Sequence, residues 1–295
     1  MGVSPVPMVS IMKNRIFAKF PAFPLAVLAC GYFLCCIGAT DIPNPSPAPT
    51  PLLHAHAHND YEHKRPLFDA VDNGFTSVEA DVYLVNGKLL VAHMPWEVKT
   101  DRTLESLYLD PLKKRIDGNG GRVYPGGPPV VLLIDVKTDP VQTYAALKKV
   151  FKQYAPILTI WHDDKPERRA LQVIITGNRS QKLIAADKER YAACDGELKD
   201  LDTNPPAELV PWISAQWSKS FKWNGNDKMP VDQKAVLDKI VKRCHEQHRK
   251  LRFWGSPDFP AFWAVLRDHG VDLVNTDHLP ECRAFLIKRG EENKS

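Results

Sequence analysis

From Leu52 onward, short apolar runs alternate with segments in which apolar residues recur every three or four positions. Such alternation is the signature of repeated βα units, and it argues against an all-helical or all-strand design. The pattern predicts strands near 52–57, 76–83, 130–136, 171–176, 191–194, 211–216, 250–254 and 271–275. Helices are predicted between them near 66–73, 103–116, 140–154, 179–188, 232–248 and 259–268, with a closing helix near 280–289. The runs VVLLIDV (130–136) and LQVIIT (171–176) are apolar at nearly every position, as expected of parallel strands covered on both faces. Asn86-Gly87 is a hairpin turn signal, which places a short extra strand at 88–93 against the second strand. The stretch from Asp195 to Pro211 reads as a long loop. Eight strands with intervening helices fit one closed (β/α)8 TIM barrel, a single α/β domain over residues 52–290.

The first fifty residues read differently. Lys13, Arg15 and Lys19 precede an uncharged run from Phe20 to Ala39, which has the form of an export signal. Cleavage after Ala39 is the preferred reading. A retained anchor is its main rival, because the run is long enough to span a bilayer, and lipidation at Cys30 is a weaker one. The chain is therefore expected to be exported, as a periplasmic, secreted or membrane-anchored protein, with residues 1–39 as signal or anchor. Residues 40–51 form a proline-rich linker, with five prolines between Pro43 and Pro51. The mature cysteines Cys194, Cys244 and Cys282 match no metal or redox spacing. One disulfide plus a free thiol is open to them, but buried thiols are the preferred reading.

A net charge of +4 from 39 basic and 35 acidic residues is too balanced for a nucleic-acid groove. The informative polar residues sit at strand ends. His56 and His58 end the first strand, Glu79 and Asp81 the second, His93 the hairpin strand, and Asp135 with Lys137 the third. In a (β/α)8 barrel these ends share the C-terminal face, where such folds carry their chemistry. Glu79 and Asp81, two apart on a strand, point the same way. With Asp135 they form a hard oxygen donor set suited to one Mg2+ or Ca2+. His58 and His93 are the candidate acid and base. His54, His56 and His58 fall on one strand face, so a zinc site remains conceivable, although the neighbouring carboxylates argue against it. Arg179 and Trp254 are candidate substrate contacts. Trp212, Trp217, Phe221 and Trp223 lie in a loop-rich segment, either touching lipid or packing as a lid.

Residues 54–93 resemble the N-terminal block of the phosphatidylinositol-phospholipase-C-like phosphodiesterases, which include glycerophosphodiester phosphodiesterases and sphingomyelinase D. In that block a histidine closes strand one, an E-x-D pair closes strand two and a second histidine follows a hairpin, here His58, Glu79-Ala80-Asp81 and His93. LLIDVK, residues 132–137, resembles the third-strand motif, which implies Asp135 as the last metal ligand and Lys137 as a phosphate contact. HNDY (58–61), TGNR (176–179), RFW (252–254) and NTD (275–277) resemble the subgroup typified by altered inheritance of mitochondria protein 6. The resemblance implies a metal-dependent phosphodiesterase acting on a glycerophosphodiester or phospholipid headgroup. Asn59-Asp60 and Met94-Pro95 depart from the glycerophosphodiesterase pattern, so substrate choice stays open.

The expected partners are a small-molecule or lipid phosphodiester, with contact to a membrane surface and no nucleic acid; the chain is read as a monomer. The rival reading is a non-catalytic barrel that binds a phospholipid headgroup or sugar phosphate. A glycosidase is disfavoured, because Glu79 and Asp81 lie side by side on one strand and do not flank a sugar bond.

Overall fold

Strands that are apolar at every position need cover on both sides, and the chain supplies it by closing a ring of strands and wrapping helices around it. The computed structural model describes Gly2 and residues 49–291. Its barrel strands are β1 (Ala55–Ala57), β2 (Ser77–Val85), β3 (Val130–Val136), β4 (Leu171–Gly177), β5 (Ala192–Gly196), β6 (Trp212–Gln216), β7 (Lys250–Trp254) and β8 (Val274–Thr276). Each pairs in parallel with the next, β8 returns to β1, and a single bridge between Arg252 and Leu273 joins β7 to β8 and closes the ring. The hairpin strand Lys88–Val91 adds antiparallel to β2 after the Asn86-Gly87 turn, as predicted.

The helices are α1 (Phe68–Asp72), α2 (Asp110–Gly118), α3 (Pro140–Phe151), α4 (Gln181–Ala186), α5 (Asp200–Thr203), α6 (Trp217–Ser220), α7 (Val231–Glu246), α8 (Pro260–Asp268) and α9 (Leu279–Lys288). Local chemistry sets their starts. The Asp139 carboxylate accepts from the amides of Val141 and Gln142 with Pro140 in the first turn of α3, and the Ser180 hydroxyl accepts from Leu183 N to open α4.

Alternation along the strands sorts side chains into two cores. Leu132, Ile134 and Val136 face the helices, whereas Leu133 faces inward. There Leu133, Ile174, Ala193, Trp212 and Leu273 build a sealed apolar layer in the barrel interior, joined by Trp161.

The structure departs from the sequence reading in three places. Asp195 and Gly196 complete β5, and the supposed long loop after them holds α5. A small sheet of Ile160–His162, Lys165–Glu167 and Glu189–Arg190 went unpredicted, because strands of two or three residues carry no readable period. Trp217, Phe221 and Trp223 are buried and pack, edge-on or stacked, against Phe253 and Phe262, so this aromatic cluster is core packing and meets no lipid; Trp212 lies inside the barrel. Phe253 belongs to this cluster and faces away from the cavity that Trp254 lines. Cys194, Cys244 and Cys282 are buried free thiols. The signal or anchor at 1–39 and most of the linker at 40–51 lie outside the described residues. Among the described residues no helix is long and apolar enough to cross a membrane.

Truncating the sealed interior layer should cost stability. Ile174→Ala is expected to lose about 2–5 kcal/mol in chemical denaturation; a loss below about 1 kcal/mol would show that the layer is not closely packed.

Candidate active site

The inward-facing residues change character on rising through the barrel. Above the apolar layer lies a polar layer centred on Arg252 of β7. Its guanidinium donates to Glu79 Oε2 at 2.7 Å, to Asn275 Oδ1 at 3.0 Å and to Ser214 Oγ at 3.1 Å, and lies 2.7 Å from His56 Nε2. His56 also meets Ser77 Oγ at 2.6 Å through Nδ1 and lies 2.9 Å from Glu79 Oε2. Burial, with Arg252 adding to it, pushes the His56 imidazole down to about 4, so it is neutral at physiological pH. Burial alone would push Glu79 up, but Arg252 and the His56 hydrogen bond outweigh it and hold that carboxyl well below the usual range.

At the mouth the parallel register sets Asp81 of β2 beside Asp135 of β3, and Glu79 sits one inward position deeper. Oxygens from these three carboxylates lie within 4.8 Å of one another. Burial pushes Asp81 up to about 6 against the opposing charge of Lys137, and its carboxylate neighbours push it further. Burial raises Asp135 as well. Asp81 Oδ1 is buried and has no hydrogen-bond partner among the described residues. A hard oxygen set with an orphaned buried carboxylate oxygen fits a divalent cation such as Mg2+ or Ca2+. Lys137, expected from sequence to contact phosphate, lines the same cavity and bridges the pair, with Nζ 2.8 Å from Asp135 Oδ2 and 2.9 Å from Asp81 Oδ2. Gly177 of β4 makes room for this arrangement. Its φ of +69° is left-handed, and a Cβ there would overlap Asp135 Oδ1.

Both candidate histidines are oriented through Nδ1. His58 Nδ1 bonds Asp277 Oδ1 at 2.9 Å, and Asp277 is fixed in turn by its amide donating to Asp258 Oδ2. Burial opposes the charged form of His58, but the Asp277 bond and the Glu79 charge prevail and raise it. His93 Nδ1 lies 3.0 Å from the Tyr61 hydroxyl, which donates to Asn59 Oδ1 and therefore accepts from His93. Each ring thus carries its proton on Nδ1 and keeps Nε2 for other chemistry. These contacts account for the HNDY motif. Asn59 and Tyr61 orient His93, while buried Asp60 accepts from Leu67 N and the Tyr108 hydroxyl and pins the loop.

All eight residues named from the sequence, His58, Glu79, Asp81, His93, Asp135, Lys137, Arg179 and Trp254, line one cavity of about 720 Å3. The zinc reading fails. His54 bonds Asp272 O and His56 is locked to Ser77 and Glu79, so the three histidines sit at different depths with separate partners. Arg252 and Asp277 were quoted in motifs but given no site role, and His56 was considered only for the zinc site. Arg252 had a readable signal, since it shares the inward face with Trp254 two positions on.

The family described as AIM6-like phosphodiesterase domain matches residues 49–122, the stretch that carries His58, Glu79, Asp81 and His93. Altered inheritance of mitochondria protein 6 homolog of Arthroderma benhamiae is 28% identical over 260 residues, covering 77% of this chain and 82% of that protein. Altered inheritance of mitochondria protein 6 of Saccharomyces cerevisiae is 30% identical over 266 residues, covering 75% of this chain and 67% of its own length. A solved glycerophosphodiester phosphodiesterase from Parabacteroides distasonis superposes with a TM-score of 0.50 at 15% identity, over 81% of this chain and 99% of that one. At that identity the likeness shows the shared barrel fold alone.

The raised Asp81 carboxyl yields two expectations. Stability from this group is present below the ordinary carboxylate pKa and is lost as pH rises through about 6. Metal-free Asp81→Asn should therefore be more stable than the parent at pH 8, by on the order of 1 kcal/mol, and should lose that advantage by about pH 4 in pH-dependent denaturation. In calorimetric titration of the parent, Mg2+ affinity should be level above about pH 6 and fall below it, because binding must then displace a proton. Unchanged Mg2+ affinity in Asp81→Asn would place the ligands elsewhere.

Proposed function

The chain belongs to the family of altered inheritance of mitochondria protein 6, and from that premise we propose that it is a divalent-metal-dependent phosphodiesterase acting on a glycerophosphodiester or phospholipid headgroup. The observation that carries the reading is the convergence, in one cavity, of two Nδ1-oriented imidazoles on a triad of carboxylates, two buried and one half-buried. Glu79, Asp81 and Asp135 would hold one Mg2+ or Ca2+. When bound, the cation supplies positive charge that neutralises the phosphoryl oxygens.

The chain's own residues supply the rest. One histidine takes the proton of the attacking hydroxyl, and the other gives a proton to the leaving oxygen. Asp277 stabilises the imidazolium of His58 as it forms, and Tyr61 keeps His93 in the matching tautomer. Lys137 and Arg179 add positive charge around the phosphate. Ser214, in the cavity wall, is a poor nucleophile, because its hydroxyl donates to Asp195 Oδ1 at 2.9 Å and accepts from Arg252. The three cysteines are buried thiols, and burial pushes each of them up, to about 12 for Cys194 and Cys244. Attack therefore falls to water or to a hydroxyl of the substrate. A hydroxyl adjacent to the phosphoester gains from proximity and gives a cyclic phosphate. The apolar run before Ala39 keeps export as the reading for where the enzyme works.

Turnover should stop in chelator and return with Mg2+ or Ca2+ better than with Zn2+. His58→Ala and His93→Ala should each slow turnover by about 10²–10⁴-fold, and the double variant should be little slower than either. Phosphorus NMR of early products separates the routes: a cyclic ester marks internal attack, and a linear product carrying solvent label marks water. Full activity in both single variants would sink the two-histidine assignment.

A further inference from the structure

The cavity is polarised across its width. Its carboxylate triad comes from β2 and β3, whereas the segments following β4, β5 and β6, the next three strands around the ring, each place one cation on the cavity wall: Arg179, Lys199 and Lys219. One exposed acid, Glu197, stands among them. It lies 2.9 Å from Lys199 Nζ and 3.6 Å from Arg179 Nη2, and the hydrogen bond from Lys199, with charge from Arg179 and Lys219, holds its carboxyl below the ordinary range. Asp195, deeper on β5, is buried and engaged by Ser214 and Arg252, and Lys219 has no acidic partner within ion-pair distance among the described residues, so on the solvent side of this wall three cations face one acid. Of the three, the reaction centre uses only Arg179 at the edge of this wall; Lys199 and Lys219 are left over, since the phosphodiester would already meet Lys137, Arg179 and the cation that the triad would hold. A cavity of about 720 Å3 also has room for a headgroup well beyond the phosphate itself.

Resting on the phosphodiesterase reading, we infer that the wall formed by Arg179, Lys199 and Lys219 is a second anion subsite, and that the preferred substrate is a phosphodiester whose alcohol group carries a further phosphate. Partly exposed cations cost little to keep charged without a partner, and each gains a charge-assisted hydrogen bond when a second phosphate arrives. A cationic headgroup such as choline meets the opposite situation. Trp254 offers it one aromatic face, but the neighbouring lysines repel it. The same recognition serves a water-soluble diester and the headgroup of a membrane lipid.

The test uses the full chain with Mg2+ and two substrates that differ by one phosphomonoester, glycerophosphoinositol and glycerophosphoinositol 4-phosphate, with glycerophosphocholine as the cationic comparison. The parent lipids in phosphatidylcholine vesicles form a second pair. The extra phosphate should raise kcat/KM by about 10–100-fold, as hydrogen bonds to charged groups do, and the ratio should shrink as ionic strength rises. Lys199→Ala with Lys219→Ala should bring the ratio toward one, and Glu197→Gln should increase it. The preference in the soluble pair, the vesicle pair or both supports the subsite. Turnover with a ratio near one in both pairs, a preference for glycerophosphocholine, or a ratio untouched by the double lysine variant overturns it while leaving the phosphodiesterase reading standing. If no diester is cleaved, that reading fails instead, and calorimetric binding of the same soluble pair decides the subsite. Tighter binding of the 4-phosphate supports it, and equal affinities overturn it.

Discussion

A buried ion pair, Arg252 with Glu79, is the interaction on which the rest of the site depends. Both side chains are almost fully excluded from water, where an unpaired charge is prohibitively costly, and losing one partner of such a pair typically costs about 3–5 kcal/mol. The guanidinium reaches from β7 to side chains on β1, β2, β6 and β8, and its second terminal nitrogen lies 3.9 Å from Asp195 of β5. It therefore ties together six of the eight strands at the height where β7 and β8 share a single bridge. Because Arg252 and His56 both engage Oε2 of Glu79, the carboxylate stays ionised, and its other oxygen is left for a ligand at the mouth.

Depth in the barrel sorts residues of one type into different jobs. His54, His56 and His58 share a strand face, yet each finds a different environment. The first bonds a backbone carbonyl, the second is neutral within the ionic layer, and the third reaches the cavity with a carboxylate behind it. The carboxylates divide similarly. Glu79, satisfied by Arg252, is strongly ionised, whereas Asp81 carries the strain of burial and of its neighbours. Lys137 relieves part of that strain by bridging Asp81 and Asp135. A bound divalent cation would relieve it in the same place and release the ammonium toward substrate.

Period-two alternation made most of this legible in the sequence. It put Glu79 and Asp81 on one face, Asp135 on the neighbouring strand and all three at the mouth, where the structure has them. Alternation gives the face of a strand but not the partner across the barrel, so the long-range pairing of Arg252 with Glu79, 173 positions apart, was not readable. The same gap hid the bridge that Lys137 makes between Asp81 and Asp135, since that contact depends on strand register as well as on residue type. The aromatic segment after β6 misled because buried and exposed tryptophans look alike without tertiary context. Asp277 was visible only as part of a motif, and its role followed once β8 was seen beside β1.

The central claim is that Glu79, Asp81 and Asp135 together hold one hard divalent cation. Its most direct test is anomalous diffraction from crystals of the protein soaked with Mn2+ as a surrogate for Mg2+ or Ca2+. The account predicts one strong peak within bonding distance of an oxygen from each carboxylate, with Lys137 displaced from its bridge and Arg252 still bound to Glu79. A peak elsewhere in the cavity, or none there while Lys137 stays between Asp81 and Asp135, would contradict it.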